Sequence, residues 1–200
     1  MKIDPDSKKL LQYIGNINQI AGIKQYEFTD GRAKGVRALD VRNGTGLQFT
    51  VLPDRGLDIA ELTFKGINCA YLSKTGITHP AFFSTDDDSF FRNFYAGFLT
   101  TCGLRNVGSS CSDDGEHFNI HGRISNTPAE DLCVSSDWED GIFTSGIKGK
   151  MREARFFGEN LILERTIRCN NFENNIYIEN RIENCGFKTE KLMLLFHFNI

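Results

Sequence analysis

The chain is poor in tryptophan (one residue) and proline (four), and it has no long apolar run. A bilayer crossing needs about 20 consecutive apolar residues, so no membrane partner is expected. The amino terminus MKIDPDSKKLLQYIGN lacks the apolar core of a secretory leader, which points to a cytoplasmic protein. A basic stripe is missing too. Lys+Arg number 23 against 26 Asp+Glu, a formal charge of -3, and no nucleic-acid partner is expected. The six cysteines, Cys69, Cys102, Cys111, Cys133, Cys169 and Cys185, form no CxxC pair and no zinc spacing, so free, mostly buried thiols are expected. GxxxxGK, GxGxxG and Ser-His-Asp motifs are all absent, which disfavours nucleotide chemistry and removes the usual signature of a nucleophilic triad.

What is present points to strands. Seventeen Phe and 19 Gly suggest many short strands separated by turns, and 200 residues suffice for one domain over 1–200. GLQFTVLPDRGLDIAELTFKG reads as strand, turn at Pro53 and Asp54, strand. In NLILERTIRC, Leu161, Leu163, Ile167 and Cys169 alternate against Glu164 and Arg168. In NNIYIENRIEN, Ile176, Ile178 and Ile182 alternate against Glu179, Arg181 and Glu183. KLMLLFHFNI is apolar at both parities and predicts a strand covered on both sides, with His197 and Asn199 pointing the same way. Two segments read as helices, DPDSKKLLQYIG and STDDDSFFRNFYAGF. In the second, Asp86 to Asp88 start the helix, and Phe90, Phe91, Phe94 and Tyr95 form its apolar face. Antiparallel strands with frequent turns predict a sandwich or barrel.

The candidate chemistry gathers around histidine and arginine. HFNIHGRISNTPAE sets His117 and His121 four apart, but no third ligand completes a zinc spacing, so no metal is expected. His117 follows the turn-like SDDGE and reads as structural. His121 precedes Gly122, which admits a close neighbour, and Arg123, a fork of donors suited to hydroxyls or carboxylates. His197, between Phe196 and Phe198, needs a hydrogen-bonding partner; it is either a functional acid or a core histidine bonded to backbone. Arg55, in DRGLDIAEL, is either a turn residue paired to Asp54 or Asp58 or part of a sugar site.

LPDRGLDIAEL, FLTTCGLRNVG, HGRISNTPAE and LMLLFHFNI together resemble the aldose 1-epimerase, or galactose mutarotase-like, superfamily. More narrowly, they resemble a branch of it described as a domain of unknown function. The resemblance spans about residues 20–200. It implies a mainly β fold, a galactose mutarotase-like β-sandwich (supersandwich) of large antiparallel sheets with one or two short helices and a sugar-binding cleft. Its specific parts are HGRISNTPAE and FHFNI. By resemblance His197 is the general acid, and His121, Arg123, Arg55 and Asn199 contact the sugar. The partner is a small-molecule sugar; the implied reaction, anomer exchange by ring opening, uses no metal and no cofactor. The implied base is a glutamate of a more C-terminal part of such domains, so neither Glu116 nor Glu130 is given that role. The sequence stops inside its most hydrophobic strand, and the expectation is therefore the N-terminal part of a longer domain, with the oligomeric state open.

Overall fold

Period-two patterning becomes two facing antiparallel sheets in the computed structural model, which describes residues 7–200. The first sheet holds β1 (Ala21–Glu27), β2 (Arg37–Asn43), β3 (Leu47–Leu52), β4 (Asp58–Phe64), β6 (Leu99–Leu104) and β13 (Met193–Phe198) in that order, with β5 (Ile67–Asn68) paired to β4. The second runs β12 (Tyr177–Asn184), β11 (Asn160–Asn170), β10 (Ile142–Ala154), β9 (Ala129–Glu139). A small hairpin, β7 (Cys111–Asp113) and β8 (Glu116–Phe118), stands apart. Asp140 and Gly141, both at positive φ, make the two-residue turn that joins β9 to β10, the conformation that matches strand twist.

The core lies between the sheets. Leu39, Val41, Phe49, Val51 and Ile59 of the first meet Ile147, Met151, Leu161, Leu163 and Ile167 of the second. Each such side chain contributes roughly 1.5–3 kcal/mol on full burial. The expected alternation in β11 holds, with one addition: Arg165 shares the inward parity of Leu163 and Ile167 and is fully buried. Its Nη1 donates to Asp58 Oδ1 at 2.7 Å across the sandwich, and its Nη2 to Thr101 Oγ1 at 2.7 Å. Burial pushes the Asp58 carboxyl up, while Arg165 and the two donors of Thr101 oppose that.

Three expectations need correction. β13 is not covered on both sides: Leu195 and Phe196 are each 37% exposed and Phe198 55%. β13 ends the sheet order and pairs with β6 alone. The thiols are not mostly buried. All six are free, but Cys111, Cys133 and Cys185 are exposed because they sit on outward positions or loops. The second helix, α2 (Asp87–Asn93), begins where expected, with the Asp86 side chain accepting the Ser89 N–H at 2.9 Å, but it is shorter and leaves Phe91 exposed. Of the first predicted helix, residues 4–6 lie outside the described residues, and α1 (Ser7–Leu10) is a single turn.

Candidate functional site

β13 pairs with β6 so that His197 stands opposite Thr100 and Leu195 opposite Cys102. Side chains two apart on a strand share a face, so His197 and Leu195 project on the side of Thr100 and Cys102, away from the inter-sheet core. Asn199 is tied to backbone: its Nδ2 donates to Gly97 O at 2.9 Å, and its carbonyl accepts the Tyr71 N–H at 2.9 Å.

His121 reaches the same face from a loop laid against β6. The Gly103 N–H donates to His121 O and the Arg123 N–H to Gly103 O, each at 3.0 Å. Two glycines permit this approach. A Cβ on Gly122 would lie 2.3 Å from Gly103 O, and one on Gly103 would lie 2.4 Å from Met193 O. The neighbour that Gly122 admits is therefore backbone. His121 itself has φ 59°, a left-handed conformation that costs about 1–3 kcal/mol in a residue with a side chain. Two hydrogen bonds to a single residue hold it there: its N–H donates to Gly108 O at 3.0 Å, and its Nδ1 accepts the Gly108 N–H at 3.1 Å.

These two routes bring the Nε2 atoms of His121 and His197 to 3.4 Å from one another, with the rings nearly perpendicular. Helix α2 roofs the pair. Phe90 and Phe94, one turn apart and stacked, lie against His121 (centroids 5.0 Å apart) and His197 (5.7 Å) respectively. Burial, and secondarily the adjacent His197, pushes the His121 pKa below the ordinary histidine value. The arrangement can hold and move a proton at two nitrogens beside an apolar wall.

Arg55 is placed differently from the two histidines. It is 1% exposed, and it spends its donors on Ser125 O (2.8 Å), Thr78 O (2.7 Å), Thr78 Oγ1 (2.9 Å) and Asn93 O (3.1 Å), with its guanidinium over the Tyr95 ring. It pairs with neither Asp54 nor Asp58. From the β3–β4 turn it ties the end of α2 to the segment after His121, so in this structure it anchors the elements that carry the pair. Arg123 is exposed and lines an open cleft with Glu116, Glu153 and Glu159. His117 stands 3.6 Å from Asp87 at the start of α2, apart from the His121–His197 contact. Glu116 is paired with Arg105 at 2.7 Å, which holds its carboxyl below the usual range, and Glu130 with Arg152 at 2.8 Å.

A third group, Cys102, completes a set of potential metal ligands: its Sγ and the histidine nitrogens all lie within 4.8 Å of one another. A thiolate is the binding form, but burial pushes this thiol up to about 12. Sequence reasoning did not place Cys102, Phe90, Phe94 or Gly108 at the site. The Phe90 and Phe94 spacing was visible, but as a core face; the role of Gly108 is played by its backbone, which leaves no residue-type signal.

Comparison with known proteins follows the same lines. A family model described as "Domain of unknown function (DUF4432)" matches residues 33–200. Among solved structures, a candidate aldose 1-epimerase from Klebsiella pneumoniae subsp. pneumoniae MGH 78578 superposes with TM-score 0.76 at 22% identity, over 82% of this chain and 43% of that one. A galactose 1-epimerase from Lactobacillus acidophilus NCFM gives TM-score 0.49 at 16% identity, over 82% and 49%. The chain thus spans less than half the length of either structure. A comparison with curated proteins finds no match. The first superposition places the sandwich among galactose mutarotase-like folds, and the match over residues 33–200 establishes that the chain belongs to the DUF4432 family.

Proposed function

We propose that this chain binds an aldose or an aldose derivative and that His197 is the acid that opens the sugar ring, interconverting the anomers. The observation that carries the reading is the contact between His121 Nε2 and His197 Nε2, 3.4 Å apart beneath Phe90 and Phe94. A pyranose suits such a site. Its ring oxygen accepts hydrogen bonds from nitrogen donors, and its C–H faces pack against phenyl rings.

The proton balance is simple. The proton on His197 Nε2 passes to the ring oxygen as the C1–O bond breaks, and that oxygen keeps the bonding electron pair. Solvent water takes the C1 hydroxyl proton, giving the open aldehyde, and rotation about the bond to C1 before closure yields the other anomer. The resemblance assigns the base to a glutamate in a more C-terminal part of such domains, so no residue of this chain is given that role.

A second reading is a carbohydrate-binding protein that leaves its ligand unchanged. The ion pairs that occupy Glu116 and Glu130 favour it, because the two glutamates nearest to His121 in sequence are already engaged. Titration of the protein with a panel of aldoses, followed by exchange NMR on their anomeric protons, separates the two. Binding with faster anomer exchange supports ring opening. Binding without acceleration supports the second reading, and the absence of any binding contradicts both.

A further inference from the structure

We propose that the backbone N–H of Gly108 fixes His121 as the Nε2–H tautomer, which makes His121 a permanent hydrogen-bond donor and leaves proton transfer to His197 alone. A neutral imidazole has one N–H and one bare nitrogen, and the hydrogen bond made by one nitrogen decides the state of the other. At His121 the Nδ1 faces a donor that cannot change: the Gly108 N–H, 3.1 Å away. Nδ1 must therefore be the bare nitrogen, and the ring proton sits on Nε2. The opposing bond from the His121 N–H to Gly108 O, at 3.0 Å, keeps the loop in register, so neither partner can turn away alone.

The consequence passes to His197. The His121 Nε2–H points at His197 Nε2, 3.4 Å away, which must present its lone pair and carry its own ring proton on Nδ1. When His197 gains a second proton, two N–H groups face one another across that gap. A single oxygen lodged beside the gap, within reach of both nitrogens, relieves the conflict, because it has lone pairs for both. The pair is in this sense a clamp for one oxygen. His121 donates to that oxygen before and after ring opening, whereas His197 first donates and then accepts from the new hydroxyl. Cys102 is the other titratable side chain grouped with the pair; Phe90 of α2, Phe94 just after it and Thr100 of β6 contribute none.

The lock also bears on metals. A histidine ligand binds through a bare nitrogen and gives its other N–H to an acceptor. His121 shows the reverse arrangement toward the gap, so the set formed with Cys102 and His197 is a proton site in the present geometry.

The division of roles rests on the ring-opening reading, but the tautomer does not, and it can be measured without sugar. Long-range nitrogen–proton correlation NMR on the histidine-labelled chain distinguishes bare from protonated ring nitrogens, with His121→Gln and His197→Gln providing the assignments. The expected wild-type result is a bare Nδ1 on His121 and a bare Nε2 on His197. A protonated Nδ1 on His121, or averaging between its tautomers, overturns the lock. As a second measurement, His121→Gln retains an amide donor toward His197 and should leave its Nε2 bare, whereas His121→Glu offers an acceptor and should move the His197 proton onto Nε2. An unchanged His197 signal in His121→Glu, if that variant folds, overturns the coupling. A bare Nδ1 on His121 together with anomer exchange that survives intact in His197→Gln overturns the division of roles and leaves the tautomer standing.

Discussion

His121 Nε2 and His197 Nε2 meet at 3.4 Å although 76 residues separate them in the chain. Neither histidine makes the contact by local structure. One is carried on an edge strand, and the other on a left-handed residue whose loop packs on β6 through Gly103 and Gly122.

The contact has a signature in stability. Burial and the neighbouring His197 hold the His121 pKa below its ordinary value, so the unfolded chain binds a proton at His121 more readily than the folded one. Stability from this residue is therefore present above the ordinary histidine pKa of about 6.5 and is lost as pH falls through and below it. Urea unfolding between pH 5 and 8 should show a shallower acid limb in His121→Gln than in the wild type. Equal slopes would remove the linkage.

Helix α2 should control the same quantity. Phe90 lies against His121 and shields it, and burial is the larger cause of its lowered pKa. In Phe90→Ala the His121 pKa, followed by NMR titration, should move back toward the ordinary value, while the fold is retained because Phe90 is only half-buried. A titration identical to that of the wild type would mean that α2 is not the shield.

Thiol chemistry should divide by exposure. Cys111, Cys133 and Cys185 are exposed and should react first with an aromatic disulfide reagent at pH 8. Cys102 and Cys169, pushed up to about 12 and about 11 by burial, should react only on unfolding. Mass spectrometry of the partly modified protein reads the order, and early labelling of Cys102 would contradict the packing of the site floor.

The buried arginines should matter for stability before they matter for function. Asp58→Asn leaves the Arg165 charge unpaired between the sheets, at a cost of about 3–5 kcal/mol. Arg55→Ala strands the carbonyls of Ser125, Thr78 and Asn93, a loss on the order of 3 kcal/mol. Denaturant midpoints check both. A neutral Arg55→Ala would show that it does not anchor α2.

Much of this arrangement was legible in the sequence, and the rest was not for identifiable reasons. The inward set Leu161, Leu163, Ile167 and Cys169 follows from alternation, because one face of a strand needs only its own sequence to declare itself. Arg165 breaks the pattern without warning, since the Asp58 that satisfies it lies 107 residues earlier. His121 and His197 each stood out singly by residue type and neighbours, but their pairing depends on the register of β13 with β6. Arg55 looked like a ligand group because its partners, all backbone carbonyls and one threonine hydroxyl, leave no mark in a motif. The exposure of β13 was missed because apolar composition at both parities says nothing about whether other elements lie over both faces of the strand.

The role of His197 is decided by the rate of anomer exchange in a bound aldose, read by exchange NMR for the wild type, His197→Ala and His121→Gln. The account predicts exchange faster than in buffer with the wild type, a loss of about 10²–10⁴-fold of that acceleration in His197→Ala, and a smaller loss in His121→Gln, which keeps a donor. Acceleration that survives intact in His197→Ala would contradict it.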